Sequence, residues 1–401
     1  MNPEREKTDF KKKKIVWLSF IPAVYLNLVA DLEILRALAK RYEVHLICPY
    51  FSIKHRFKNS KIHVIAIPIE NRKPFSVIAS NILLLLFLPF YFPVLRPDFI
   101  ITKTDGSIFG FMSTLLLKRC LGDRGFKVVL DIRTTPVEIS RFPFRFNFTV
   151  SMAKKMFDGM TIITSLMKKE VCQKFGIDPN FVGVWSVGAS TALFKPERYV
   201  HQGKKLRKKL GLLDKFVVLY HGAFSPSRGL LETVNAFAMI VRRYPNIILF
   251  LLGKGSVVPH LKKLIQEKQI QNNVIVHDAV DYSFVPGYIA MCDVGIVPLP
   301  NLPYWRHQCP LKLLEYLAMK KVVVITDIPA HREIVGNKEY GVYVSSTNPT
   351  EIANAVTYVY ENRDKLKEWG ASGREIITKN YNWEKAAKDL ENYLLSLRRM
   401  K

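Results

Sequence analysis

Residues 309–327 read CPLKLLEYLAMKKVVVITD, and the fold is decided by how this stretch is taken. At helical spacing Leu311, Leu314 and Ala318 form one apolar stripe, and the VVVIT that follows is a β-branched run of the kind found in buried strands. Glu315, four residues after Leu311, falls inside the stripe. A carboxylate placed there needs a reason beyond solubility.

Working outward, the same alternation of short apolar strands and helical stretches fills the chain. Strand candidates in the first half are KIVWLSF, EVHLIC, IHVIAI, DFIIT, KVVLDI, MTIIT and FVGVWS. FVVLYH, NIILFLLG, NVIVHD, DVGIVPL, KVVVITD and YGVYVS continue the rhythm in the second. Continuous apolar strands separated by helices predict parallel sheets covered on both faces. The segment 194–215 is charged, contains Pro196 and has no strand of its own, so it divides two doubly wound domains with a ligand crevice at the carboxyl ends of the strands. At 401 residues the chain suits two cores rather than one.

Sixty Lys and Arg against 34 Asp and Glu leave a net charge of +26. Such an excess favours a polyanionic partner: nucleic acid, anionic lipid headgroups or a phosphorylated substrate. The five cysteines, at 48, 120, 172, 292 and 309, show no pairing or metal spacing, as expected of a reducing compartment. The basic start runs straight into KIVWLSF, which reads as a buried strand and not as a signal peptide. The stretch 74–95, PFSVIASNILLLLFLPFYFPVL, carries no charge. A membrane span, a helix buried in the first core and a helix lying on a membrane surface are its three readings, and a span would put strands of one sheet on opposite sides of a bilayer. The basic and aromatic run RFPFRFNF at 141–148 and the lysines at 11–14 could supply headgroup contacts.

The chemistry concentrates in the second half. HGAFSPSRG at 221–229 predicts a strand ending at Gly222, a loop ending in Arg228 and then a helix, a layout that turns backbone N–H groups and a two-pronged cation toward an anion. LLGKG at 251–255 adds a second glycine turn at Gly253 and Gly255. Pro310 suits the first position of the next helix, whose free N–H groups at Leu311 and Lys312 could hold a diphosphate. Glu315, one turn deeper, could then accept hydrogen bonds from both hydroxyls of a ribose. The plainer alternative is an i,i+3 ion pair with Lys312 on a partly exposed face.

These stretches together, with MCDVGIVPLP at 291–300, resemble the donor domain of the family-4 retaining glycosyltransferases of GT-B fold, the glycosyl transferases of group 1. Residues 157–196 are similar to that family's hinge segment, with Val187-Gly188-Ala189-Ser190 where Asn-Gly-Val-Asp is frequent. The resemblance implies an α/β protein of GT-B fold, two Rossmann-like domains facing each other across a cleft. Residues 1–195 would bind the acceptor, 196–380 the nucleotide-sugar donor, and 381–401 would form a helix crossing back to the first domain. Glu315 is implied to bind the ribose; Arg228, Pro310 and Leu311 the diphosphate. Three departures stand out. Ala223 replaces an Arg that is frequent after Gly222, and the paired glutamates reduce to one because His307 occupies the upstream position, passing contact with the donor sugar to His307 and Gln308. In the first domain the glycine-rich loop reads FIPAVYLN, and Arg133 beside Asp131 stands where a histidine is frequent.

The reaction so implied moves a hexose from a nucleotide diphosphate to an acceptor hydroxyl with retention at the anomeric carbon. Arg228, Lys312 and the helix N-terminus would stabilise the leaving diphosphate, whose oxygen takes the acceptor proton, with His307 against the sugar. No cofactor and no metal are expected, because no Asp/His cluster with ligand spacing accompanies the diphosphate site. Apolar helix and basic charge together favour a lipid-linked or membrane-associated acceptor over a free saccharide, and a peripheral position on the cytoplasmic face of an anionic membrane. A nucleotide-sugar epimerase or a non-catalytic binder of the same fold would share Glu315 and Arg228. A nucleic-acid-binding protein would concentrate its cations on one recognition element, whereas here they spread over helices such as KKLRKKL.

Overall fold

The computed structural model describes residues 12–19, 28–48, 61–66, 74–103, 114–116, 118–119, 125–136 and 143–399. The loop FIPAVYLN at 20–27, Lys11, and residues 141–142 of the aromatic-basic run lie outside the described residues.

Every strand expected from the sequence is present. The first sheet holds seven, β1 (Lys14–Leu18), β2 (Glu43–Cys48), β3 (Ile62–Ala66), β4 (Phe99–Lys103), β5 (Lys127–Ile132), β6 (Gly159–Ile162) and β7 (Val182–Val184), in the order β3-β2-β1-β4-β5-β6-β7. The second holds six, β8 (Phe216–Ala223), β9 (Ile247–Lys254), β10 (Val274–His277), β11 (Val294–Val297), β12 (Val322–Thr326) and β13 (Gly341–Val344), in the order β10-β9-β8-β11-β12-β13. All pairings are parallel. β4 and β12 are buried at every residue and β5 at all but its first, so apolar residues run without alternation through them, broken at the carboxyl ends of β4 and β5 by Thr102, Lys103 and Asp131. In each sheet the strand order reverses once, at β1/β4 and at β8/β11; those reversals open the crevices in which doubly wound sheets bind ligands.

By contact the chain separates into one unit of residues 1–162, 168–185 and 387–401 and another of 163–167 and 186–386. The last helix, Trp383–Arg399, therefore begins with the second unit and ends with the first. Within the first unit its Tyr393 hydroxyl donates to the Phe181 carbonyl at 2.5 Å and accepts from the Met160 amide at 3.1 Å. Gly159 and Gly183 make room for that ring, since a Cβ on either would stand 2.2 or 2.3 Å from Tyr393 atoms.

The stretch 74–95 is a single helix, Pro74–Leu95, and its described side chains from Ile82 onward are buried on one side and open on another. Leu88, Phe92 and Leu95 are buried, whereas Ile82, Leu83, Leu86, Phe87, Phe90 and Val94 are exposed, Phe90 by 78% and Val94 by 82%. Each such side chain left in water forgoes about 1.5–3 kcal/mol of burial. The wholly buried reading is thereby excluded. Among the described residues no helix is long and apolar enough to cross a membrane.

Candidate active site

The reversal point of the second sheet is built by glycines. Gly222, at the end of β8, has φ 126°, and a Cβ there would stand 3.1 Å from the Lys312 ammonium. Beside it a Cβ on Gly253 would lie 1.9 Å from the Gly222 carbonyl, so only glycine lets the two strand ends meet. Gly229 opens the helix Leu230–Ile240 with φ 68° and packs against Pro298, just past β11. Three strand ends thus converge with little side-chain bulk between them.

Into this point runs the helix Leu311–Ala318. Pro310 is its N-cap, with φ −77° and ψ 115°, one position ahead of the helical residue predicted from sequence. The Leu313 amide donates to the Pro310 carbonyl at 3.0 Å, leaving the N–H groups of Leu311 and Lys312 without intrahelical acceptors. Tyr316 bolts the helix to β8: its hydroxyl donates to the Leu219 carbonyl at 2.7 Å and accepts from the His221 amide at 3.1 Å. Gly295 in β11 provides the space, since a Cβ there would sit 2.5 Å from the Tyr316 ring.

Lys312 and Glu315 on this frame are buried, Arg228 is half-buried, and their charges are poorly neutralised. Lys312 is 7% exposed; its ammonium lies 3.5 Å from the centroid of the Tyr220 ring and makes no hydrogen bond. Burial, and then the Arg228 charge, pull its pKa well below the usual lysine value, against a smaller opposing pull from Glu315. Arg228 stacks its guanidinium 4.3 Å from the Trp305 ring centroid, and its Nε is buried without a partner. Trp305 is held in turn by its indole N–H, which donates to the Ser227 carbonyl at 2.9 Å. Burying Lys312 without a partner, within the field of the half-buried Arg228, is costly, and an anionic ligand would offset that cost.

Glu315 is 3% exposed and burial pushes its pKa up to about 7, although the Tyr282 hydroxyl donates to its Oε1 at 2.6 Å and Lys312 also favours the charge. His221 Nε2 lies 3.2 Å from Glu315 Oε2 but makes no hydrogen bond, and burial, then Lys312, hold that imidazole neutral by lowering its pKa well below the usual value. The exposed ion pair with Lys312 is thus replaced by a buried carboxyl positioned by Tyr282, whose ring packs edge-on against Phe194 at 5.6 Å. Helical spacing carries no trace of either Tyr282 or His221 as a neighbour of Glu315.

His307 and Gln308 sit on the segment entering the helix. The His307 carbonyl accepts from Thr164 Oγ1 at 2.7 Å, and Gln308 is 8% exposed with a buried, unpartnered Nε2. Gly222, Arg228, Gly253, His307, Gln308, Pro310, Leu311, Lys312 and Glu315 all lie in the second unit. Arg133 belongs to the first unit. There its guanidinium meets Asp31 at 2.9 Å and Asp131 at 2.8 Å and lies between the Trp17 and Trp185 rings, with centroids 5.3 and 4.9 Å away.

Residues 202–376 match the sequence profile of the family Glycosyl transferases group 1. An alpha-D-kanosaminyltransferase of Streptomyces kanamyceticus is 22% identical over 46% of this chain and 47% of its own length. A GDP-mannose-dependent alpha-(1-6)-phosphatidylinositol monomannoside mannosyltransferase of Mycobacterium tuberculosis is 24% identical over 61% of this chain and 64% of its own. The chain thus spans about half to two thirds of the length of these curated relatives. Among solved structures, Anabaena HepE in complex with UDP and glucose superposes with a TM-score of 0.78 at 15% identity, covering 96% of this chain and all of that one. Likeness at this level shows the fold: the two doubly wound units have the GT-B architecture.

Proposed function

We propose that the protein, whose residues 202–376 match the glycosyl transferases group 1 profile, is a retaining hexosyltransferase that uses a nucleotide-diphosphate sugar and passes the hexose to a hydroxyl of a membrane-associated acceptor. One observation carries the reading: the Lys312 ammonium and Arg228 Nε are buried and unpartnered beside the N-terminus of a helix that carries Glu315 one turn further in. A diphosphate supplies the missing anion, and its ribose reaches Glu315. When the bond from the anomeric carbon to the diphosphate oxygen breaks, negative charge grows on that oxygen. Lys312, Arg228 and the N–H groups of Leu311 and Lys312 are fixed in advance around it, with no reorganisation needed. The acceptor oxygen forms the new bond on the same face, and its proton passes to the departing diphosphate. His307 and Gln308 would hold the sugar, and the site as read uses no metal.

The UDP and glucose bound by the Anabaena structure support the donor class. The phosphatidylinositol mannoside acceptor named for the Mycobacterium relative supports a lipid acceptor, as does the open apolar face of Pro74–Leu95. Phe144 and Phe148, exposed by 58% and 39% on the helix Pro143–Met156 with Arg145 between them, add apolar and basic surface. A protein of this kind would work as a peripheral enzyme on an anionic membrane surface, facing the cytoplasm.

The test is transfer from UDP-, GDP- and ADP-hexoses to a lipid extract and to free saccharides, with the anomeric configuration of the product read by NMR. The proposal expects one nucleotide series to donate, a lipid product and retained configuration. Inversion, or conversion of the nucleotide sugar without any acceptor as an epimerase would give, contradicts it.

A further inference from the structure

β2 and β3 pair in parallel with His45 opposite His63, and Glu43, two residues before His45, shares its face. The ligand atoms of Glu43, His45 and His63 all lie within 4.8 Å of one another. His45 Nε2 stands 2.8 Å from Glu43 Oε1, and the two imidazoles stack with centroids 4.7 Å apart at 18°. From the helix Pro74–Leu95, the Tyr91 hydroxyl reaches His45 Nδ1 at 3.2 Å. We propose that Glu43, His45 and His63 form a binding site for a divalent transition metal, with Zn²⁺ as the ion their chemistry suits best.

Two imidazoles and a carboxylate are a donor set that Zn²⁺ accepts, at about 2.0–2.2 Å per ligand. Donors around a tetrahedral zinc stand roughly 3.4 Å apart, which Glu43 and His45 nearly satisfy already. Closing the rest falls to His63, which is exposed and whose exposure also gives the ion a path in and a fourth, solvent position. His45 is only 6% exposed, and Tyr91 at its Nδ1 turns Nε2 toward Glu43, the outer-shell support that metal-binding histidines need. The Lys14 ammonium, 3.6 Å from the same Glu43 oxygen, competes for the carboxylate.

The consequence is mechanical. β3 is the edge strand of its sheet, and the metal would tie it to β2 beneath the helix that bears the open apolar face.

The full-length protein, stripped with a chelator, is dialysed against Zn²⁺ alone and, in parallel, titrated with Co²⁺ while its visible absorption is followed. One saturable site per chain is expected, with a zinc-dependent rise in melting temperature. His63→Ala, an exposed position, should melt like the metal-free wild type yet bind at least about tenfold more weakly, and Glu43→Gln likewise. Lys14→Gln should tighten binding. No saturable site at micromolar zinc, or a site whose affinity survives both His63→Ala and Glu43→Gln, overturns the proposal.

Discussion

The two units put buried charge at the same topological place and treat it in opposite ways. Around the carboxyl ends of β4 and β5 in the first sheet, Asp31, Lys103, Asp131 and Arg133 are 3%, 1%, 0% and 6% exposed, and each cation faces a carboxylate. Lys103 lies 2.9 Å from Asp31, Arg133 reaches Asp31 and Asp131, and Asp131 also accepts from Thr161 Oγ1 and the Trp185 indole at 2.9 and 3.0 Å. Burial pushes the Asp31 carboxyl up, but Arg133 and Lys103 more than offset it and hold its pKa below the usual value. At the reversal point of the second sheet Glu315 is as deeply buried, yet burial wins and its pKa rises to about 7, while Lys312 is pulled the other way. Depth is equal in the two places; neutralisation is not. The first network pairs its cations with carboxylates, and the proposed donor site is the one whose lysine has no such pairing.

The contrast breaks first if removing a charge has the same effect in both places. Arg133→Met strands two buried carboxylates and should cost about 3–5 kcal/mol of stability in urea unfolding. Lys312→Met should leave stability equal or raised, because a buried, unpaired cation disappears, while lowering kcat/KM for sugar transfer by about 10²–10³-fold.

Glu315 sharpens the contrast through pH. Its folded pKa, about 7, lies above the ordinary 4.5, so the folded state holds the extra proton between those values and stability falls as pH rises through that window. Glu315→Gln should therefore stabilise the ligand-free protein at pH 8 by on the order of 2 kcal/mol and still lose donor affinity. In the wild type, donor affinity should weaken below about pH 7 as Glu315 takes its proton and loses acceptor capacity. It should weaken again at higher pH as Lys312 gives up its charge, which calorimetry across a pH series would register as proton uptake on binding.

The smallest expected effect on the fold concerns the open helix face. Phe90→Ser with Val94→Ser should change stability by less than about 0.5 kcal/mol, because neither side chain packs, but should reduce co-sedimentation with anionic vesicles. Unchanged vesicle binding would remove the membrane from the account and leave the donor site untouched.

Local pattern made the sheets legible. KVVLDI is one whole strand and VVVIT within KVVVITD is another, each a mainly apolar run buried on both faces. Glu315 was legible for a related reason, as a carboxyl breaking an apolar helical stripe. What pattern could not supply was partnership across the sequence. Tyr282 and Glu315, Arg133 and Asp31, and the meeting of His63 with Glu43 and His45 depend on strand register and helix packing, which local spacing does not carry. The two carboxylates and two indoles around Arg133 are hidden from local spacing for the same reason. Pro310 differed by one position because a proline fits the N-cap as readily as the first helical residue when its own amide is not needed.

The central claim is that the second unit's unpaired cations await a nucleotide diphosphate. Melting curves of the wild type and of Lys312→Met, each with UDP, GDP and ADP and with the matching monophosphates, test it most directly, since a ligand that binds only the folded state raises the melting temperature by mass action. One diphosphate should raise the wild-type value well above its monophosphate, with the increment absent in Lys312→Met. No shift with any diphosphate at millimolar concentration, or a full shift retained in Lys312→Met, would contradict the account.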